Sequence, residues 1–344
     1  MKPTLKQEEA IRVAKSRFLN NEPYTCIAGV AGSGKSATIA FLVAELELLK
    51  NEIIYTTFTG KAALVLREKG LPAITLHKLL YDYRIRENTF EAKVTLDKEY
   101  ENCKIIIVDE ISMVPQYMWE KLLSHGIHII ACGDGFQLPS ISTQNTVLNR
   151  PHVTLTEVMR QALDSEIIYW ANEIREGRQL RPFNGKDVTI IKQKDLDTSL
   201  FEWADQILVG TNSLREKVNG LMRVSRGYFG LLTKGEKVVC TKNYWEKING
   251  RDMPLINGLT GNVYNISEKN DYFECDFYPF GEVEFANQFK VRISRRAIEG
   301  EELNRYSSLN QFEYGYAITV HKAQGSEWDN VLLFDDSKAM GGQR

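Results

Sequence analysis

The sequence predicts an α/β fold of two parallel-sheet domains in tandem, each carrying a small β insert. Three observations point there. A short apolar strand at residues 24–28 runs into a glycine loop and then a helix. Further apolar strands at 53–58, 105–108 and 127–132 alternate with helical segments, as a parallel sheet requires. A second strand–helix series begins after Arg178, with strands at 206–210, 236–241, 315–320 and 330–334. A chain of 344 residues has room for two such cores.

Residues 6–19 place Ala10, Ile11, Ala14 and Phe18 at helical spacing. Residues 36–49 and 61–69 read as the helices after the first two strands, and 212–224 as a helix in the second half. Residues 81–102 break the pattern. Alternation over 81–86, a turn at Glu87-Asn88-Thr89 and looser alternation over 90–96 read as an inserted hairpin. Residues 263–298 alternate in short stretches and read as a small all-β insert. The expected boundaries are 1–80 with 103–178 for the first domain, 81–102 for the hairpin, 179–262 with 299–344 for the second domain, and 263–298 for its insert.

Hydrophobic residues make up 43% and charged residues 26%, ordinary values for a soluble globular protein. A net charge of −2 excludes a generally basic nucleic-acid coat but leaves room for a narrow basic channel. The five cysteines are scattered without C-x-x-C spacing, which argues for reduced thiols rather than a zinc site or a disulfide frame. The N-terminus has no apolar signal core and the apolar runs are strand-sized, so the expectation is a soluble, cytoplasmic protein without membrane contact.

Three motifs carry chemistry. Gly29-Val30-Ala31-Gly32-Ser33-Gly34-Lys35-Ser36 has the form G-x-x-x-x-G-K-S. Its glycines let backbone N–H groups turn inward around phosphate oxygens, and the following helix adds the partial positive charge of its N-terminus. Lys35 is placed to reach the β- and γ-phosphates of ATP, and Ser36 to ligate Mg²⁺. The second motif is the run Ile105-Ile106-Ile107-Val108, which ends in Asp109-Glu110. Asp109 suits the Mg²⁺ shell, and Glu110 suits a general base acting on the attacking water. The third is Gly133-Asp134-Gly135-Phe136-Gln137-Leu138-Pro139, again at a strand end. The Gln137 amide both donates and accepts, which suits sensing the γ-phosphate or its water.

The order GxAGSGKS, TGKAA, DEISM, GDxxQLP and HKAQGSE resembles the superfamily 1 DNA helicases, in particular the 5′-to-3′ branch of RecD-like and Dda-like enzymes. The likeness spans about residues 5–335. It implies two RecA-like parallel-sheet domains, a β-hairpin wedge in the first, an SH3-like insert in the second, and ATP hydrolysis in the cleft between the domains. The implied activity is an ATP-dependent 5′-to-3′ translocase or helicase, working as a monomer on single-stranded DNA and duplex junctions, bacterial or phage-encoded.

Residue by residue, the resemblance makes Gln7 the reader of the adenine edge, Arg160 an arginine finger, and Gly325 and Glu327 the far edge of the nucleotide site. It makes Thr59, Lys61, His77, Thr319, His321 and Lys322 contacts to the DNA backbone. His77 has the competing reading of a partly buried histidine, and Arg160 that of an ordinary ion pair. Phe90, near the hairpin tip, either stacks at the duplex junction or packs on the β insert. Thr211, Asn212 and Asn219 match a family pattern without clear chemistry. In the family the last strand leads to a motif of the form YTAxTRA, whose arginine also meets the γ-phosphate. This sequence stops at Arg344 before one. The expectation is therefore a truncated chain. The alternative is an ATP- and nucleic-acid-binding module with weak or no hydrolysis. A P-loop kinase is the third reading, opposed by Gln137 and by the second α/β half.

Overall fold

The computed structural model describes residues 2–84, 89–93, 96–138, 146–157, 164–248, 251–280, 288–301 and 308–336. The chain forms two compact units, one of Met1–Thr59 with Leu66–Leu196, the other of Gly60–Val65 with Asp197–Arg344.

The first unit opens with α1 (Leu5–Leu19), β1 (Tyr24–Gly29) and α2 (Lys35–Glu45). Next come β2 (Ile53–Thr57), α3 (Gly60–Glu68), β3 (Ala73–Thr75) and α4 (Leu76–Leu80). The strands β4 (Tyr81–Arg84) and β5 (Thr89–Ala92) pair antiparallel. Then follow β6 (Ile105–Asp109), α5 (Gln116–Leu123), β7 (His128–Gly133), β8 (Val153–Leu155) and α6 (Glu166–Arg175). A short antiparallel pair, β9 (Phe183–Asn184) and β10 (Thr189–Ile190), closes the unit. Six strands form one parallel sheet in the order β3-β2-β6-β7-β1-β8.

The composition of β6 explains why this strand is central. Ile106 and Val108 pack on one side with Leu79, Met118 and Trp119, while Ile105 and Ile107 pack on the other with Ala10, Ile11 and Leu42. A strand covered on both faces reads as one continuous apolar run. Each isoleucine buried there contributes roughly 1.5–3 kcal/mol, so the polar residues that end β6 stand on a rigid base. α1 starts sharply because Thr4 and Gln7 form a reciprocal cap, with the Thr4 hydroxyl accepting from Gln7 N–H and Gln7 Oε1 accepting from Thr4 N–H at 2.9 Å.

The second unit contains α7 (Ser199–Trp203), β11 (Gln206–Val209), α8 (Asn212–Ser225) and β12 (Lys237–Cys240). It continues with β13 (Tyr244–Ile248), β14 (Arg251–Leu255), β15 (Thr260–Glu268), β16 (Tyr272–Pro279), β17 (Phe289–Ser294) and α9 (Arg295–Ile298). The last elements are β18 (Phe312–Tyr314), β19 (Ala317–Thr319), α10 (Val320–Ala323) and β20 (Val331–Leu333). This unit holds a parallel sheet of order β19-β11-β20 and a five-stranded antiparallel sheet of order β17-β16-β15-β12-β18.

That antiparallel sheet differs from the sequence reading, which set residues 236–241 with the parallel strands. β12 pairs antiparallel with β15 and β18 instead. Val238 and Cys240 face the aromatic core of Phe273, Phe277, Phe289 and Phe312, while Val239 packs with Ile318 and Ala323. Burial on both faces removed the alternation that marks an antiparallel strand. Among the described residues no helix is long and apolar enough to cross a membrane.

Candidate active site

The phosphate loop joins β1 to α2. At Gly29 an added Cβ would run into Ser33 Oγ and come within 3.1 Å of Leu155 Cβ, so a side chain there would displace Ser33 and crowd the loop. Gly34 takes the left-handed conformation, φ 80°, and caps α2 without a side chain. The first N–H groups of α2 thus face the loop with no side-chain cap, the arrangement that binds anions. Lys35 Nζ donates to the carbonyls of Gly29 at 2.7 Å and Val30 at 3.1 Å. Ser33 Oγ is buried with no hydrogen-bond partner. An orphaned hydroxyl of this kind costs about 1–3 kcal/mol, and a phosphate oxygen would satisfy it. The loop therefore fits a nucleoside triphosphate, with Ala31 and Gly32 in its turn and Ser36 in the first turn of α2.

Strand order brings the other two motifs beside it. β6, β7 and β1 are neighbours and parallel, so Asp109-Glu110, Gly133-Asp134 and the phosphate loop share one edge of the sheet. Glu110 adopts a left-handed backbone at φ 54°, a strained conformation for a residue with a Cβ, and its N–H donates to Asp109 Oδ1 at 3.0 Å. Gln137 Nε2 donates to Glu110 Oε1 at 3.4 Å, and Ser112 Oγ donates to Gln137 Oε1 at 3.3 Å. Burial holds both carboxyls above the usual carboxylate range. The neighbouring Asp109 pushes Glu110 up further, against the Gln137 amide and the Lys35 charge. A carboxyl raised by burial beside a second acid is a candidate proton acceptor. Asp109 and Ser36 carry side-chain oxygens of the kind magnesium takes.

The remaining expected residues are placed as follows. Gln7 is 1% exposed, and its amide is engaged at both ends, by Thr4 N–H and by the Gly34 carbonyl at 3.2 Å. It thus ties α1 to the phosphate loop. The Thr59 carbonyl accepts from Thr57 Oγ1 at 2.8 Å. Lys61 lies in the short piece of α3 grouped with the second unit, 4.5 Å over the Trp328 ring, and burial pulls its amine down to about 8. His77 sits between the Phe58 and Tyr81 rings, and burial lowers its pKa. Phe90 stands on β5 opposite Tyr83. Arg160 lies outside the described residues.

In the second unit Thr319 caps α10, accepting from Lys322 N–H at 3.4 Å. Lys322 Nζ pairs with Glu313 at 3.0 Å, and Arg215 holds the same carboxylate at 2.6 Å. His321 is half-buried, Gly325 is left-handed at φ 73°, and Glu327 is exposed. Within the first unit the structure brings together Gln7, Lys35, Asp109, Glu110 and Gln137. The Thr319–Lys322 group belongs to the second.

Three residues gain roles that the sequence reading left unassigned. Asn219 donates to the carbonyls of Tyr314 and Ala317, both at 3.1 Å, and accepts from Ala317 N–H at 2.8 Å, bracing β19. Asp336 accepts from Gly210 N–H, Thr211 N–H and Thr211 Oγ1 at the start of α8. Ser112 touches Gln137, and its position two residues after Glu110 was the available signal.

Family models and curated relatives match most of the chain. A family model described as an AAA domain matches residues 4–194, and a UvrD-like helicase C-terminal domain model matches residues 314–342. The ATP-dependent RecD2 DNA helicase of Deinococcus radiodurans is 28% identical over 89% of this chain and 42% of its own length. The ATP-dependent DNA helicase dda of Enterobacteria phage T4 is 25% identical over 90% of this chain and 73% of its own. The chain thus spans less than half the length of the Deinococcus relative. Among solved structures, the Pif1 helicase from Candida albicans is 18% identical with a TM-score of 0.53, covering 98% of this chain and 91% of that one, and shares the fold.

Proposed function

The chain belongs to the AAA-domain family, its relatives are superfamily 1 helicases, and from that premise we propose that it is an ATP-driven DNA helicase whose hydrolysis is stimulated by single-stranded DNA. The observation that carries the reading is the shared sheet edge, where the motifs holding Lys35, Asp109, Glu110 and Gln137 lie at the ends of neighbouring strands.

Lys35 exchanges its two loop carbonyls for phosphate oxygens, and the Ser33 hydroxyl gains the partner it lacks. Ser36 and Asp109 would hold Mg²⁺, which would supply positive charge to the phosphates. Glu110 takes the proton of the attacking water, with Gln137 orienting its carboxylate. Thr319, His321 and Lys322, with Thr59 and Lys61, contact the strand backbone, so binding is independent of sequence and weakens with salt. Movement runs 5′ to 3′, as the resemblance of the motifs to that branch supports, with the β4–β5 hairpin as the wedge. ATP hydrolysis measured with and without an oligothymidylate tests the motor, and no stimulation would sink it. Forks with a single 5′ or 3′ tail test direction, and unwinding from the 3′ tail alone would reverse the assignment.

A further inference from the structure

We propose that Ser112 is a positioning residue for hydrolysis, holding the Gln137 amide so that its N–H side faces Glu110; this rests on the motor reading above. The Gln137 side chain has three free torsions and an amide that can present either end. An ionised carboxylate only accepts, so the productive orientation sets Nε2 toward Glu110. That bond, at 3.4 Å, is long. The second restraint is Ser112, whose hydroxyl donates to Oε1 from the other side at 3.3 Å. Together the two bonds define the amide from both ends.

Ser112 is itself firmly placed. It is 8% exposed and lies in a tight turn in which Met113 N–H donates to the Glu110 carbonyl and Val114 N–H to the Ile111 carbonyl, both at 3.1 Å. Ile111 and Val114 on either side are fully buried. The turn begins at the strained Glu110 backbone, so acid and serine are set by one turn. Gln137 is less restrained on its own side, where its N–H donates to the Asp134 carbonyl at 3.1 Å. A hydroxyl at 112 thus selects among Gln137 rotamers.

The test measures ATP turnover by the full chain with a saturating oligothymidylate. Ser112→Ala is expected to lower kcat by about three- to tenfold, the contribution of one internal hydrogen bond, with KM for ATP and the melting temperature unchanged. Ser112→Thr, which keeps the hydroxyl, restores kcat. In a Gln137→Ala background, Ser112→Ala changes kcat by less than about twofold, because the two residues act as one unit. An equal loss in that background, a raised KM, or a threonine variant as slow as alanine would overturn the inference. A wild-type chain that binds ATP but shows no turnover overturns the motor reading itself, a result distinct from any of these.

Discussion

The two units treat their motif residues differently. On the edge of the first sheet, polar groups stand ready for something absent from the fold itself. Among the described residues Ser33 Oγ has no partner and α2 has no side-chain cap, while Glu110 sits in a left-handed backbone with a long bond from Gln137 to its carboxylate. In the second unit the motif residues are held by partners in the frame. Thr319 caps a helix, Lys322 pairs with Glu313, and Asn219 braces the strand between them. A motif names residue types; the bonding around them separates groups poised for a ligand from groups that hold the frame.

The largest effect expected is at the poised edge. Glu110→Gln keeps ATP binding and lowers kcat by about 10²- to 10⁴-fold, the usual contribution of a positioned general base. A Glu110→Gln chain with near-normal turnover would remove this residue from the chemistry. Gly29→Ala comes next, since overpacking costs roughly 1–3 kcal/mol. Nucleotide affinity, read by fluorescence of a labelled ATP, should fall by about tenfold or more.

At the framework side, Asn219→Ala loses three backbone bonds and should lower unfolding free energy by about 2–3 kcal/mol, with KM for ATP little changed. Urea denaturation with turnover measured in parallel checks both halves of that statement. The smallest effect sharpens the comparison most. Lys322→Ala should flatten the salt dependence of oligothymidylate binding by about one unit of slope if the amine leaves Glu313 for a phosphate. An unchanged slope with a lower melting temperature would assign Lys322 to the frame alone.

The parallel sheet of the first unit and the placement of its three motifs were legible because each motif sits where an apolar run stops. Ile105-Ile106-Ile107-Val108 followed by two acids can be read without knowing any contact. β3 and β8 were not legible, being three residues each and stabilised by their places beside β2 and β1. β12 was assigned to the wrong sheet because both its faces are buried. The part played by Gln7 was hidden for another reason. Thr4-x-x-Gln7 marks the local cap, but the second partner, Gly34, is far along the chain.

That brace has a kinetic consequence. One buried amide closes the first turn of α1 and grips the residue that starts α2, so coupled opening of these segments is the expected outcome. Nucleotide bound at the loop should then slow hydrogen exchange at the backbone amides of Glu8 and its neighbours, which lie outside the loop. Occupancy of the site becomes readable from a helix that holds none of the phosphate-binding groups.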